Sequence, residues 1–216
     1  MKSDPSLFRQ RLRAGEKLSG TFVKTPSGHA TEIFGDLGYD FVVIDEEHAP
    51  FDRLAIDQAL VSARAARIAA LVRVASASAS NLLSVLDAGA VGVLVPHVSS
   101  AQKAANVAAA CRYKDGKRGF SNSPRAGRYG GLSLQQHVEH ADRITTVVAQ
   151  IEDPEALDQI DAVFAPSDSP LRGEHRWTAR SQHPHYLPAA IKLTLASPAQ
   201  VPTKQLRVIP MSRAGQ

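Results

Sequence analysis

A single cysteine, Cys111, excludes an intrachain disulfide and fits a reducing compartment. Long apolar runs are missing too: none approaches the roughly 20 residues that a membrane-spanning helix needs. Met1 to Leu18 alternates charge with polarity, so no secretory signal is expected, and the cytoplasm is the expected location. Excess positive charge is absent from the first three quarters of the chain. Through Asp168 there are 18 Lys and Arg against 20 Asp and Glu, a net of −2, whereas from Ser169 onward 7 basic residues face only Glu174, a net of +6. That basic tail lacks aromatic interleaving, zinc-ligand spacing and an amphipathic basic helix, which argues against nucleic acid as a partner. No membrane partner is expected either.

What the chain does have is a rhythm of βα units, at a length of 216 residues that suits one barrel or one large α/β domain. Leu18 to Lys24 reads as a first strand, and His29 to Leu37 as a helix ended by Gly38. A second strand begins at Phe41, and Arg53 to Arg67 carries apolar residues at helical spacing. Ala69 to Val74 is a short apolar strand containing Arg73; Asn81 to Asp87 is helical; Val91 to Val95 is a strand ending at Pro96-His97; Ala101 to Cys111 is an alanine-rich helix. A loop rich in glycine and arginine, Gly116 to Gly131, follows, and its arginines suit carboxylate or phosphate groups. A short helix, Ser133 to His140, leads to the strand Thr145 to Ile151, which stops on Glu152.

The most informative stretch is Phe41-Val42-Val43-Ile44-Asp45-Glu46-Glu47-His48-Ala49-Pro50, an apolar run that stops on three carboxylates and a histidine. A continuous run with β-branched residues reads as a parallel strand buried on both faces. Its charged end then lies at the carboxyl edge of the sheet, where α/β barrels assemble their chemistry. Helix capping by Asp45 or Glu47 accounts poorly for four ionisable residues in a row.

This stretch, with Leu86-Asp87-Ala88-Gly89-Ala90 leading to Val95-Pro96-His97, the Arg118-Gly119 loop with Arg125-Ala126 and Tyr129-Gly130, and Gln150-Ile151-Glu152, resembles the metal-dependent class II pyruvate aldolases. That family includes 4-hydroxy-2-oxoheptanedioate and 2-keto-3-deoxy sugar-acid aldolases, with citrate lyase β-type enzymes as more distant relatives. The likeness runs from about Gly20 to Asp168. It implies a (β/α)8 TIM-barrel type fold, incomplete at its C-terminal end, and a homo-oligomer. It also implies a lyase that makes or cleaves such acids, with pyruvate and an aldehyde as small-molecule partners. By the same resemblance Glu152 and Asp168 are metal ligands, and Glu47 supports the metal's water shell. Oxygen ligands of this kind suit Mg²⁺, Mn²⁺ or Co²⁺. Arg73 matches the essential arginine beside the keto oxygen, and His48 the acid–base histidine, with Asp45 or Asp87 holding its ring. Gln150 and Ser167 are the implied substrate-side polar residues. Lys24 is the only lysine on an expected barrel strand.

After Glu152 the resemblance weakens. Ala165-Pro166-Ser167-Asp168 matches the family's second metal-binding turn, with Ala165 in place of glycine, but only 16 residues separate Asp168 from Glu152. Six of the 13 prolines follow Asp168. The expected division is therefore a barrel domain, residues 1–168, and a basic Pro- and Arg-rich tail, residues 169–216, which a deletion near 162–165 and a reading-frame change would explain. In that tail Ala189 to Leu195 reads as a turn or two of helix and Leu206 to Met211 as a strand. A non-catalytic remnant that keeps partial fold and oligomer contacts is the alternative to an active aldolase.

Overall fold

The structure, a computed structural model, describes residues 4–153, 156 and 190–193. Five parallel strands, β1 (Gly20–Val23), β2 (Phe41–Asp45), β3 (Ala69–Arg73), β4 (Gly92–Val95) and β5 (Thr146–Ile151), lie side by side in chain order. Each connection carries a helix: α2 (Gly28–Asp36), α3 (Arg53–Ala66), α4 (Ala79–Asp87), then α5 (Ala101–Ala110) and α6 (Leu134–Ile144) together. Strands that pair with their sequence neighbour through a helix are the repeating unit of a (β/α)8-type barrel.

Side chains alternate across each strand, so the two faces differ in partner. Val42, Ile44, Ala70, Val72, Val93, Val95, Ala149 and Ile151 pack with the apolar stripes of α3, α4 and α5. Val43, Leu71, Leu94 and Val148 share the other face, which the short helix α1 (Phe8–Arg13) closes with Phe8 and Leu12. Sequence reading assigned no structure to this helix, although Phe8 packs at 5.3 Å on the Phe41 ring. The continuous apolar strands follow from this double burial.

Asp52, Ser78, Ser100 and Ser133 cap α3, α4, α5 and α6 by accepting backbone N–H groups, and Ser133 and Gln136 complete a reciprocal capping box. One expectation is corrected. Ala190–Leu193, expected as helix, is instead a sixth strand, β6, antiparallel to β5 with Gln150 opposite Ile191. The free edge of β5 presents unpaired backbone groups, and pairing satisfies them. Ser167, Asp168 and Leu206 to Met211 lie outside the described residues.

Candidate active site

The second face, the one α1 closes, ends in polar residues at the carboxyl edge. Alternation puts Asp45 above Val43, Arg73 above Leu71 and Gln150 above Val148. Asp45 is fully buried, and Arg73 grips it with a two-point fork, Nε to Oδ1 at 2.9 Å and Nη2 to Oδ2 at 2.7 Å. The His48 backbone N–H donates to Asp45 Oδ1 at 3.1 Å, and Lys24 Nζ stands 3.4 Å from Oδ2. Burial alone would raise the Asp45 pKa, but the Arg73 fork, the His48 amide and Lys24 outweigh it and hold the carboxyl below its ordinary value. Arg73 also stands over the Phe22 ring at 4.9 Å.

Glu47 and Glu152 reach the same place from the ends of β2 and β5. Glu47 Oε2 lies 3.3 Å from Arg73 Nε and 3.7 Å from His48 Nε2, yet it is buried and makes no hydrogen bond. Glu152 Oε2 accepts from Gln150 Nε2 at 2.6 Å, while the buried Gln150 Oε1 is unpaired. Between the two glutamates sits His97, just beyond β4. Its backbone N–H donates to Glu152 Oε1 at 3.0 Å, and its Nδ1 is 2.8 Å from Asp153 Oδ1. Its Nε2 is 3.7 Å from Glu47 Oε1. The Asp153 hydrogen bond, together with the Glu152 and Glu47 charges, raises the His97 pKa against the opposing effect of burial. One donor atom from each of Glu47, His97 and Glu152 falls within 4.8 Å of the others, a spacing that can hold a metal ion.

The fold thus brings together Asp45, Glu47, Arg73, Gln150 and Glu152, with the exposed His48 ring beside Glu47. Glu46 turns away: its Oε2 accepts from the Ala75 N–H and from Asn81 Nδ2, pinning the β3–α4 loop. Asp87 is also elsewhere. It closes α4, a helix that runs back from β3, and therefore lies toward the edge where the strands begin. There Arg118 Nη2 bonds it at 2.9 Å, so within this chain it does not approach His48. Asp45 touches His48 through the backbone and not the ring. Ser167 and Asp168 lie outside the described residues.

Two of the arginines in the loop expected to bind an anion are engaged within the chain. Arg118 pairs with Asp87 and covers the Tyr113 ring at 4.5 Å, while Arg125 pairs with Asp57 and donates to the Ala88 carbonyl. Both cations serve to seat the loop against α3 and α4. His97 was missed as a site residue, though the sequence places Pro96-His97 at a strand end like the others. Its placement between the two glutamates goes with a left-handed backbone, φ 55°, which composition does not signal.

These strand-end carboxylates, arginine and histidines sit at the carboxyl edge of a parallel α/β scaffold of the (β/α)8 barrel type. The chain belongs to the HpcH/HpaI aldolase/citrate lyase family, whose model matches residues 18–170. It is 30% identical over 167 residues to a hydroxypyruvate/pyruvate aldolase of Roseobacter denitrificans, covering 76% of this chain and 64% of that protein. It is 32% identical over 162 residues to a 5-keto-4-deoxy-D-glucarate aldolase of Enterobacter sp., covering 74% and 62%. An HpcH/HpaI family crystal structure from Burkholderia cenocepacia superposes with a TM-score of 0.68 at 27% identity, covering 73% of this chain and 64% of that one. The chain spans 61 to 64% of the length of three curated relatives that it matches.

Proposed function

We propose that the protein is a divalent-metal-dependent carbon–carbon lyase acting on 2-keto-3-deoxy or 4-hydroxy-2-oxo acids, with pyruvate and an aldehyde as its small-molecule partners. One observation carries the reading: the Glu47 and Glu152 carboxylates, from the ends of β2 and β5, converge with Arg73 at one edge, and Glu47 Oε2 is buried without a hydrogen bond. Arg73 Nε, 3.3 Å from Glu47 Oε2, offsets part of that charge without a hydrogen bond, and a divalent ion near the converging Glu47 and Glu152 carboxylates would offset the rest, so the residues present fit one.

Glu152 would hold that ion, with Glu47 beside it and Asp168 as the second carboxylate that the family likeness suggests. When bound, a divalent cation supplies concentrated positive charge beside the keto and carboxylate oxygens, which makes a pyruvate methyl proton removable near neutral pH. Arg73, fixed by Asp45, adds a second positive charge for the developing enolate oxygen without reorganising. His48, exposed and 3.7 Å from Glu47, can take the methyl proton and return it to the aldehyde oxygen. Gln150 Oε1, buried and unpaired, awaits a donor such as a substrate hydroxyl, and Ser167 is its proposed companion. Incubation of pyruvate with a set of aldehydes and Mg²⁺, Mn²⁺ or Co²⁺ tests the reading. A 4-hydroxy-2-oxo acid product that disappears in Glu152→Gln supports it; product formation that survives this change contradicts it.

A second reading, a non-catalytic member that keeps partial fold and the contacts of a homo-oligomer, draws on β6. Ala190–Leu193 pairs antiparallel with β5, in the place where a barrel would continue with a parallel strand.

A further inference from the structure

We propose that Lys24 is a specificity-determining residue of this site: its ammonium binds a carboxylate at the far end of the aldehyde half, so that the preferred adducts are 4-hydroxy-2-oxo diacids. The inference rests on the lyase reading above and narrows its substrate class. The first observation is placement. Phe22 pairs with Val43 and Val23 with Ile44, so alternation carries Lys24, just past β1, to the face of Asp45, where its Nζ stands 3.4 Å from Oδ2. Two residues earlier, Phe22 holds its ring under the Arg73 guanidinium on that same face. Lys24 therefore projects at the carboxyl edge that carries Asp45 and Arg73.

The second is that Asp45 does not need this cation. Its Oδ1 accepts from Arg73 Nε and the His48 N–H, and its Oδ2 accepts from Arg73 Nη2 at 2.7 Å. One guanidinium thus balances the one carboxylate through the shorter, two-point contact. Lys24 keeps the longer contact, with its side chain 57% exposed against 10% for Arg73. Among the described residues it makes no other ion pair. An ammonium carries three donor hydrogens, so two remain for a ligand.

The third is span. Arg73 ends β3 and Lys24 follows β1, with β2 between them. Neighbouring strands stand about 4.8 Å apart, so the two cations rise from backbones about 10 Å apart. Both side chains lean in to the same Asp45 oxygen, which closes most of that distance. A 2-oxo acid whose keto oxygen meets Arg73 can then carry its distal carbons to Lys24. Lysine offers a point charge on a flexible stem, which reaches one carboxylate oxygen without fixing its plane. A neutral tail gains nothing from that charge, and discrimination between the two kinds of aldehyde follows.

The test uses two mimics of equal length that lack the 4-hydroxyl needed for cleavage: 2-oxoadipate, which carries the second carboxylate, and 2-oxohexanoate, which does not. Binding of each to the full chain is measured by calorimetry with Mn²⁺ at low salt. The wild type should bind 2-oxoadipate roughly tenfold tighter or more. Lys24→Met keeps the apolar stem and removes the charge. It should weaken 2-oxoadipate by roughly tenfold and change 2-oxohexanoate by less than about threefold. Lys24→Arg, which restores a cation, should recover most of the preference. Equal affinity for both mimics in the wild type, a preference that survives Lys24→Met, or an equal loss of both mimics in that variant overturns the inference while the wider reading stands. Binding of neither mimic to the wild type with any of Mg²⁺, Mn²⁺ or Co²⁺ overturns both.

Discussion

Asp45 and Arg73 stand directly opposite each other at the ends of paired strands, 28 residues apart in sequence, and their side chains meet in a two-point fork at 2.9 and 2.7 Å. The pair is buried, so each partner needs the other. Removing the cation with Arg73→Met leaves the Asp45 charge buried with Lys24 alone and should cost about 3 to 5 kcal/mol of stability. Arg73→Lys keeps charge but loses the planar fork, and should lower activity about a hundredfold with the circular dichroism spectrum preserved. Near-full activity in Arg73→Lys would make the arginine a structural partner only.

The same pair sets an acid limit. The folded Asp45 pKa lies below its ordinary value, so its contribution is present above about pH 4 and is lost as pH falls through the depressed folded value. Asp40, whose pKa is lowered by the Ser19 amide and Arg11 against the effect of burial, acts in the same window. In Arg73→Met, burial should dominate at Asp45, and acid unfolding followed by circular dichroism should begin at higher pH than in the wild type.

His137 sets a milder limit nearer neutrality. It is fully buried against Tyr113 and Phe120, with Nδ1 3.1 Å from Asn122 Oδ1, and burial first, then Arg118, hold its pKa below the ordinary value. A folded state that refuses a proton loses stability as pH falls below the unfolded value of about 6.5. Urea midpoints should be lower at pH 5.5 than at pH 7.5, and His137→Phe should narrow the gap.

Two interior positions give simple controls. A Cβ on Gly92 would sit 2.3 Å from the Thr146 carbonyl oxygen of the neighbouring strand, so Gly92→Ala should destabilise by about 1 to 3 kcal/mol through forced separation of β4 from β5. Cys111 is fully buried, and burial pushes its thiol up to about 12. It should be silent to a thiol reagent in the native protein and react only on unfolding.

The five parallel strands and the edge they share were legible because double burial writes continuous apolar runs into sequence, and an ionisable residue at the end of such a run has few structural uses. Register was not legible. That Asp45 faces Arg73, and that Asp87 faces Arg118 at the other edge, depends on pairings between residues about 30 positions apart. The loop arginines were ambiguous for the same reason: composition shows cations, and only the fold shows that Asp57 and Asp87 meet two of them. His97 was not singled out because its place between Glu47 and Glu152 depends on a backbone angle that composition does not signal. The α1 helix escaped because six residues carry too little periodicity to be read.

The most direct test of the central claim is exchange of the pyruvate methyl protons in deuterated water, followed by proton NMR, which needs no knowledge of the aldehyde. Exchange that requires an added divalent ion, stops on chelation and is lost in Glu152→Gln is the predicted result. Exchange that persists in chelator at the wild-type rate, or no exchange with any of Mg²⁺, Mn²⁺ or Co²⁺ in a folded preparation, would contradict it.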